Sequence, residues 1–434
     1  MSIKNYTFKN GLKLVYQRNS SPVSALEIFV KVGSINEPKR LGGLSHFIEH
    51  LIFKGTEDNP ASNIISQIFD SKGAYINAHT LLDHTVYTVK CDSSYLEICM
   101  GTLLDMLFNS LMDKKEISKE RNVVIEEINI HKDSPVSRTY EAIYKLMYGS
   151  SGLGRPIGGT PSKIKNYTYN DIISYYKYFY VPKKMVISVC SNISFKSIIK
   201  IIERFIKPTK SIKVKKYIPK LTFQTKPNSI KCINNKLEKT YLAIGFRICN
   251  RFSPDYFGLD LLRVILTGNM SSLLFMELRE KNGLTYTVGI DFSTYDTVGN
   301  FTVITNVDRN RLITNGKEIG AVNIIIDIFR KLKMTGITAH QLKIAKGYLK
   351  GVLSLSTEDT FNVSNINGAR VLFNNPDKKI PLGKIYEKRY KSITVPQINS
   401  LLNKYFIQEN MNSVYLGRGV SKKKSLIKNI LGTL

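Results

Sequence analysis

Apolar and polar positions alternate with a period of two near the start of the chain. Tyr6-Thr-Phe-Lys-Asn10-Gly11-Leu-Lys-Leu-Val-Tyr16 therefore reads as a hairpin, with Asn-Gly as its turn. Strand signals return across Ala74–Lys90, followed by a helix starting near Tyr95, a helical stretch carrying Glu120, and a strand at Met185–Cys190. The second half repeats the plan: strand Thr240–Phe246, helix near Tyr256–Leu266, a strand pair across Thr285–Thr305, and long helical patterns over Ile319–Leu332 and Ala339–Leu355. Between the halves, Pro208–Ser229 is rich in Lys, Pro and Thr and loses periodicity, which predicts a linker. The expected domains are 1–210 and 226–434, with the linker at 211–225. Strands and helices interleave without regular βαβ spacing. The expected class is α+β, each half a mainly antiparallel sheet with helices packed on one face. A repeated plan of this kind predicts duplication.

The candidate chemistry sits in His46-Phe47-Ile48-Glu49-His50. A helix brings positions 46 and 50 one turn apart, so both imidazoles can bind one ion, with Glu49 beside them to work on a bound water. H-x-x-E-H is the inverted order of the zincin motif H-E-x-x-H. Gly42-Gly43 before it and Gly55 after it predict a loop, a short helix and a left-handed stop. Leu44, Phe47, Leu51 and Ile52 give that helix an apolar side.

Hydrolytic zinc needs three protein ligands and one open position. The third candidate lies in Glu120-Arg-Asn-Val-Val-Ile-Glu-Glu127. Glu120 and Glu127 are two turns apart and share a helix face. Val123, Val124 and Ile130 surround Glu127 at three- and four-residue spacing, which predicts a buried side for it. Glu126 neighbours Asn122 and Asn129 on a more solvated side. A buried carboxylate needs a cation or a proton. Glu127 is thus the expected ligand, and Glu120 the carboxylate that orients a ligand histidine.

Gly43-Leu-Ser-His-Phe-Ile-Glu-His-Leu-Ile-Phe-Lys-Gly-Thr56 resembles the signature of the pitrilysin-like zinc peptidases, relatives of mitochondrial processing peptidase and insulin-degrading enzyme. The separation of His50 and Glu127 (127 − 50 = 77) is similar to that family's distance to its distal ligand. Gly73–Thr80, Asp83–Tyr87, Gly154–Thr160, Tyr180–Pro182 and Leu278–Tyr286 resemble further family blocks in the same order. The resemblance implies two α/β-roll domains facing each other across a cavity, one Zn²⁺ per chain held by His46, His50 and Glu127, and Glu49 as general base. It also implies that Arg279 and Tyr286 (286 − 279 = 7) assist the oxyanion and substrate binding. Asn77 and Ala78 would lie on an edge strand that pairs with substrate backbone. His79, His84 and His131 are expected not to be ligands.

Composition narrows the class. With 434 residues, 43% hydrophobic, the chain suits a globular protein of more than one domain. No apolar run reaches the roughly 18 residues a membrane helix needs, and the start lacks a signal peptide's apolar core. Five cysteines (Cys91, Cys99, Cys190, Cys232, Cys249) are odd in number and lack C-x-x-C spacing, which predicts a reduced, intracellular chain. With no signal peptide or membrane helix read from the sequence, the expected place is the cytoplasm, an organelle or virus-associated compartment staying open. The formal charge of +29 (63 − 34) is dispersed and accompanies abundant Lys, Ile, Asn and Tyr, as in an AT-rich genome. No specific nucleic-acid or membrane partner is expected from it. The expected partner is a peptide or an unfolded, presequence-like segment. Arg279 and Tyr286 on the metal-bearing chain favour a monomer or homodimer. Two alternatives compete with an endopeptidase: a catalytically silent structural or processing-complex subunit, which would have lost a ligand or the base, and a cationic binding protein for nucleic acid or membrane, whose structural zinc would have four ligands.

Overall fold

The computed structural model describes residues 2–206 and 229–434. The linker expected at 211–225 lies outside the described residues. Two compact units emerge. The first comprises the described residues of Met1–Ile130, Ser150–Leu221 and Ser354–Lys384; the second comprises those of His131–Gly149, Thr222–Leu353 and Ile385–Leu434.

The first unit holds a six-stranded sheet of β1 (Ile3–Thr7), β2 (Lys13–Arg18), β3 (Val23–Val30), β4 (Tyr75–Thr80), β5 (Thr85–Asp92) and β6 (Met185–Ser191). Their order is β1-β2-β6-β3-β5-β4. Only β2 and β6 run parallel among these neighbours. The predicted hairpin forms, with Gly11 at φ +88° in its turn. Leu26, Ile28 and Val30 of β3 enter a large core with Phe47, Leu103, Ile172 and Ile198 from the overlying helices. Phe29, one position out of phase, joins Val15, Val86 and Val186 on the opposite face, where Val371, Leu372 and Phe373 cover them. Both faces of β3 and β6 are therefore buried, which explains their nearly continuous apolar runs.

The second unit holds β7 (Ser229–Asn234), β8 (Lys239–Ile248), β9 (Val288–Thr294), β10 (Gly299–Asp308) and β11 (Met411–Gly417), ordered β7-β11-β8-β10-β9. Its parallel pair is β7 with β11. This matches the order β2-β6-β3-β5-β4 strand for strand, parallel pair included, so the repeated plan read from the sequence is present in the topology. Phe246, Phe301, Phe329 and Phe406 pack as an aromatic cluster with centroids 5.0–5.3 Å apart.

The fold is α+β, with one departure from the expected packing. Helices were expected on one face of each sheet; a helix also covers the other face. In the first unit it is Thr360–Leu372, packed on β2, β3 and β6. In the second it is Pro135–Tyr148, packed on β8 and β11. Each comes from the opposite half of the chain. A Cβ at Gly368 would sit 2.0 Å from Phe29, so only glycine lets the first of these helices lie so close. The cut at 1–210 and 226–434 remains our proposal for the duplicated halves; the compact units interleave across it.

By length and composition, the helical stretch Asp255–Lys281 is apolar enough to cross a membrane, although Asp260 and Arg263 interrupt its apolar run. Its helix is interrupted around 269–272, and Leu259, Leu262, Leu266, Leu274 and Leu278 are buried in the protein.

Candidate metal centre

The nine-residue helix Leu44–Ile52 carries the motif. Gly43 starts it at φ +100°, where a Cβ would lie 2.7 Å from the Gly158 carbonyl oxygen. Buried Glu37 holds this start: Oε2 accepts from the Gly43 N–H at 2.7 Å and Oε1 from the Ser45 N–H at 2.8 Å. Leu44, Phe47, Ile48, Leu51 and Ile52 are buried in the core. That anchoring sets the helix rotation, so His46 and His50 share the other side, their ring centroids 4.6 Å apart.

The helix Lys114–Asp133 brings the carboxylates. Its buried row is Ile117, Glu120, Val124 and Ile128. Two turns beyond Glu120, Glu127 reaches the histidines at the rim of that face. The buried side expected for Glu127 is only partly present: Val123 and Ile130 are 51% and 69% exposed, and Glu127 is half-buried. Its position comes from the Glu120–Val124–Ile128 row rather than from those neighbours.

Three side chains converge, Glu127 turning a different carboxylate oxygen to each histidine. His46 Nε2 lies 3.3 Å from His50 Nε2, Glu127 Oε1 lies 3.5 Å from His46 Nε2, and Glu127 Oε2 lies 3.3 Å from His50 Nε2. A tetrahedron with metal–ligand bonds of about 2.0–2.1 Å has edges of about 3.3–3.4 Å. The donor set and its spacing therefore fit zinc, and these three residues are a group able to hold a metal ion.

Behind the ligands, Glu120 Oε1 meets His50 Nδ1 at 2.8 Å, while its Oε2 pairs with Lys54 Nζ at 2.7 Å. Burial pulls the His50 pKa down, but Glu120 and Glu127 outweigh it and push it up to about 9. Hydrogen bonds from His46 and His50 hold Glu127 well below the usual carboxylate range. His46 Nδ1 is buried without a hydrogen-bond partner among the described residues.

Glu49 is buried beside the histidines, and that burial raises its pKa against the opposing pull of Thr80, His46 and His50. Asn77 and Ala78 lie on β4, the edge strand of the first sheet. Asn77 Oδ1 accepts the Ala78 N–H at 2.8 Å, and its Nδ2 donates to the Tyr75 hydroxyl at 2.9 Å. Arg279 and Tyr286 belong to the second unit and lie together: the guanidinium stands 4.6 Å from the Tyr286 ring centre, on a π-helical turn at Met276–Lys281. Tyr286 is 74% exposed. His84 bonds Asp83 at 2.7 Å and stacks near Phe29, and His131 is exposed; neither belongs to the ligand group.

The sequence reading missed Glu37, Lys54 and Thr80. Lys54 left a signal, four residues beyond His50, in the turn that follows the helix. Glu37 left none, and Thr80, the last residue of the Gly73–Thr80 block, gave no sign of its partner, because tertiary packing fixes both contacts.

Comparison with known proteins gives a consistent result. Residues 13–161 match the family model for insulinase, peptidase family M16, and residues 166–349 match the model for the M16 inactive domain. The uncharacterized zinc protease YmxG of Bacillus subtilis is 31% identical over 408 residues, covering 94% of this chain and 96% of that protein. A protease from Helicobacter pylori superimposes with a TM-score of 0.86 at 22% identity, over 96% of this chain and 99% of that one. A chain of Complex III2 from Candida albicans does so with a TM-score of 0.82 at 15% identity, over 99% of both.

Proposed function

Because this chain belongs to the insulinase family of peptidases, M16, we propose that it is a zinc-dependent endopeptidase acting on peptides or unfolded, presequence-like segments. The observation that carries this reading is the convergence of His46, His50 and Glu127, with contacts of 3.3–3.5 Å among their side chains and Glu49 buried beside them. Zinc, when bound, supplies Lewis acidity and a water of lowered pKa. Each other role falls to the chain. His46, His50 and Glu127 hold the ion, and Glu120 keeps the His50 ring in the tautomer that presents Nε2. Glu49 accepts a proton from the attacking water and returns it to the departing amine as the C–N bond breaks. Asn77 and Ala78 pair with the backbone of an extended peptide. Arg279 and Tyr286 donate to the oxyanion.

The competing reading is a catalytically silent subunit; likeness to a chain of Complex III2 favours it at the level of fold. Against it, both histidines, the distal glutamate and the base are all kept. The presence of Arg279 and Tyr286 on the same chain supports a self-sufficient monomer or homodimer. The five free cysteines suit a reducing compartment.

Glu49→Gln separates these readings. The endopeptidase reading expects one zinc per chain in both proteins, peptide cleavage by the parent that a chelator abolishes, and a loss of at least about 10²-fold in the variant. A zinc-loaded parent that cleaves no member of a peptide library refutes it.

A further inference from the structure

Thr80 ends β4 and turns its hydroxyl toward Glu49. Its Oγ1 donates to Glu49 Oε2 at 2.5 Å, and both residues are 8% exposed. Among the described residues this is the one hydrogen bond that the Glu49 carboxylate makes. The bond occupies one oxygen and leaves Oε1 open to receive a proton.

Thr80 is itself well fixed. It pairs with Thr85 across the β4–β5 hairpin, which the Leu81 N–H to His84 carbonyl bond closes at 2.8 Å. The Thr85 hydroxyl donates to the Val32 carbonyl at 2.8 Å and lies 3.4 Å from Thr80 Oγ1. The Glu49 backbone is set by its helix, but a glutamate retains three side-chain torsions, and the last of them is broad. A base must come within about 2.6–3.2 Å of the proton it takes. Thr80 removes that torsional freedom at the carboxylate end.

We propose that Thr80 is a positioning residue that couples the edge strand β4 to Glu49. This rests on the peptidase reading above. An extended peptide added along β4 bonds to the same strand whose last residue holds the base. Peptide length is then felt in the chemical step: a longer peptide makes more backbone bonds along Tyr75–Thr80 and raises kcat rather than lowering KM.

The test compares the parent with Thr80→Val, which keeps the shape and removes the hydroxyl, and with Thr80→Ser, which restores it. Measurements are kcat and KM on a short and a long peptide, zinc affinity, and a crystal structure of each zinc-free protein. Thr80→Val is expected to lose about 10–100-fold in kcat. KM should stay within about twofold and zinc affinity should hold. Its kcat should no longer rise with peptide length, and Glu49 should spread over more than one rotamer. Thr80→Ser should recover most of the loss. Unchanged kcat, an unmoved Glu49, or joint loss of zinc affinity and activity in Thr80→Val would overturn the proposal. Failure of the parent to cleave any peptide overturns the peptidase reading instead, and the Glu49 rotamer in the zinc-free Thr80→Val protein still decides whether Thr80 positions it.

Discussion

Glu120 stands between His50 and Lys54, with Oε1 2.8 Å from His50 Nδ1 and Oε2 2.7 Å from Lys54 Nζ. Both carboxylate oxygens are committed, so the His50 ring cannot turn without breaking a charge-assisted bond. This leaves Nε2 facing the ligand group. Glu120→Ala should weaken zinc binding by about 10–100-fold, the usual effect of removing such a partner. Competition against a chromogenic chelator measures it. Glu120→Gln, whose carbonyl still accepts from Nδ1–H, should fall between the two. Equal affinities for Glu120→Ala and the parent would show that His50 needs no such support.

A second carboxylate fixes the same helix from its start. Glu37 is buried and receives the N–H groups of Gly43 and Ser45, two donors that the first turn of a helix leaves unpaired. Glu37→Ala would leave both without partners in the protein interior, at a cost of about 1–3 kcal/mol. The expected results are a lower midpoint in thermal or urea unfolding of the zinc-free protein and faster amide exchange across Leu44–Ile52. Glu37→Gln keeps one carbonyl acceptor and should lose less. Unfolding midpoints unchanged in both variants would rule out this role.

These two carboxylates show which parts of the site were legible in the sequence. His46, Glu49 and His50 lie within five residues, so helical geometry alone places them together. Glu120 and Glu127 share one helix and were found by spacing, although the burial assigned to Val123 and Ile130 was wrong. That error arose because composition cannot show which of two apolar rows on a helix meets the core. Glu37 lies outside any pattern that would flag it, and Thr80 sits in the Gly73–Thr80 block with nothing to show that its hydroxyl meets Glu49. The packing of Thr360–Leu372 and Pro135–Tyr148 was hidden for a related reason: amphipathicity says that a helix has a face to bury, not which sheet receives it. The strands themselves and the repetition of their plan were nearer the surface, since alternation and turn residues are local.

Arg279 and Tyr286 can be tested apart from the metal ligands. Their guanidinium-over-ring contact at 4.6 Å makes one group of them. If they donate to the oxyanion, Arg279→Ala and Tyr286→Phe should each lower kcat by about 10²–10³-fold. Zinc content and thermal stability should hold, because Tyr286 is largely exposed. The double variant should lose much less than the product of the two single losses, as residues acting as a unit do. Full activity in Tyr286→Phe would remove the tyrosine from the proposed mechanism.

The last prediction concerns a carboxylate far from the metal. Glu27 lies on β3 and is fully buried. Its Oε1 accepts from Asn365 Nδ2 on the Thr360–Leu372 helix at 2.8 Å, and the Thr88 and Ser364 hydroxyls lie near the carboxylate. Ser188 and Ser364 exchange side-chain-to-backbone bonds beside it at 2.7 and 3.2 Å, and Asp359 pairs with Lys90 at 2.9 Å. Burial pushes the Glu27 pKa up from 4.5 to about 7, with Asn365, Ser364 and Thr88 pulling the other way and Asp359 adding to the rise. A carboxyl with a higher pKa folded than unfolded takes up a proton on folding. Its stabilising effect is complete below pH 4.5 and is lost as pH rises through about 7. From pH 5 to pH 8 this removes roughly 2–3 kcal/mol from the first unit. Glu27→Gln cannot ionise, keeps a carbonyl for Asn365 and gains a donor for Thr88. Urea unfolding and amide exchange of the Thr360–Leu372 helix at pH 5 and pH 8 should therefore show a weaker decline in the variant than in the parent. Parallel pH profiles for the two proteins would mean that Glu27 is already ionised, or still protonated, across the whole range.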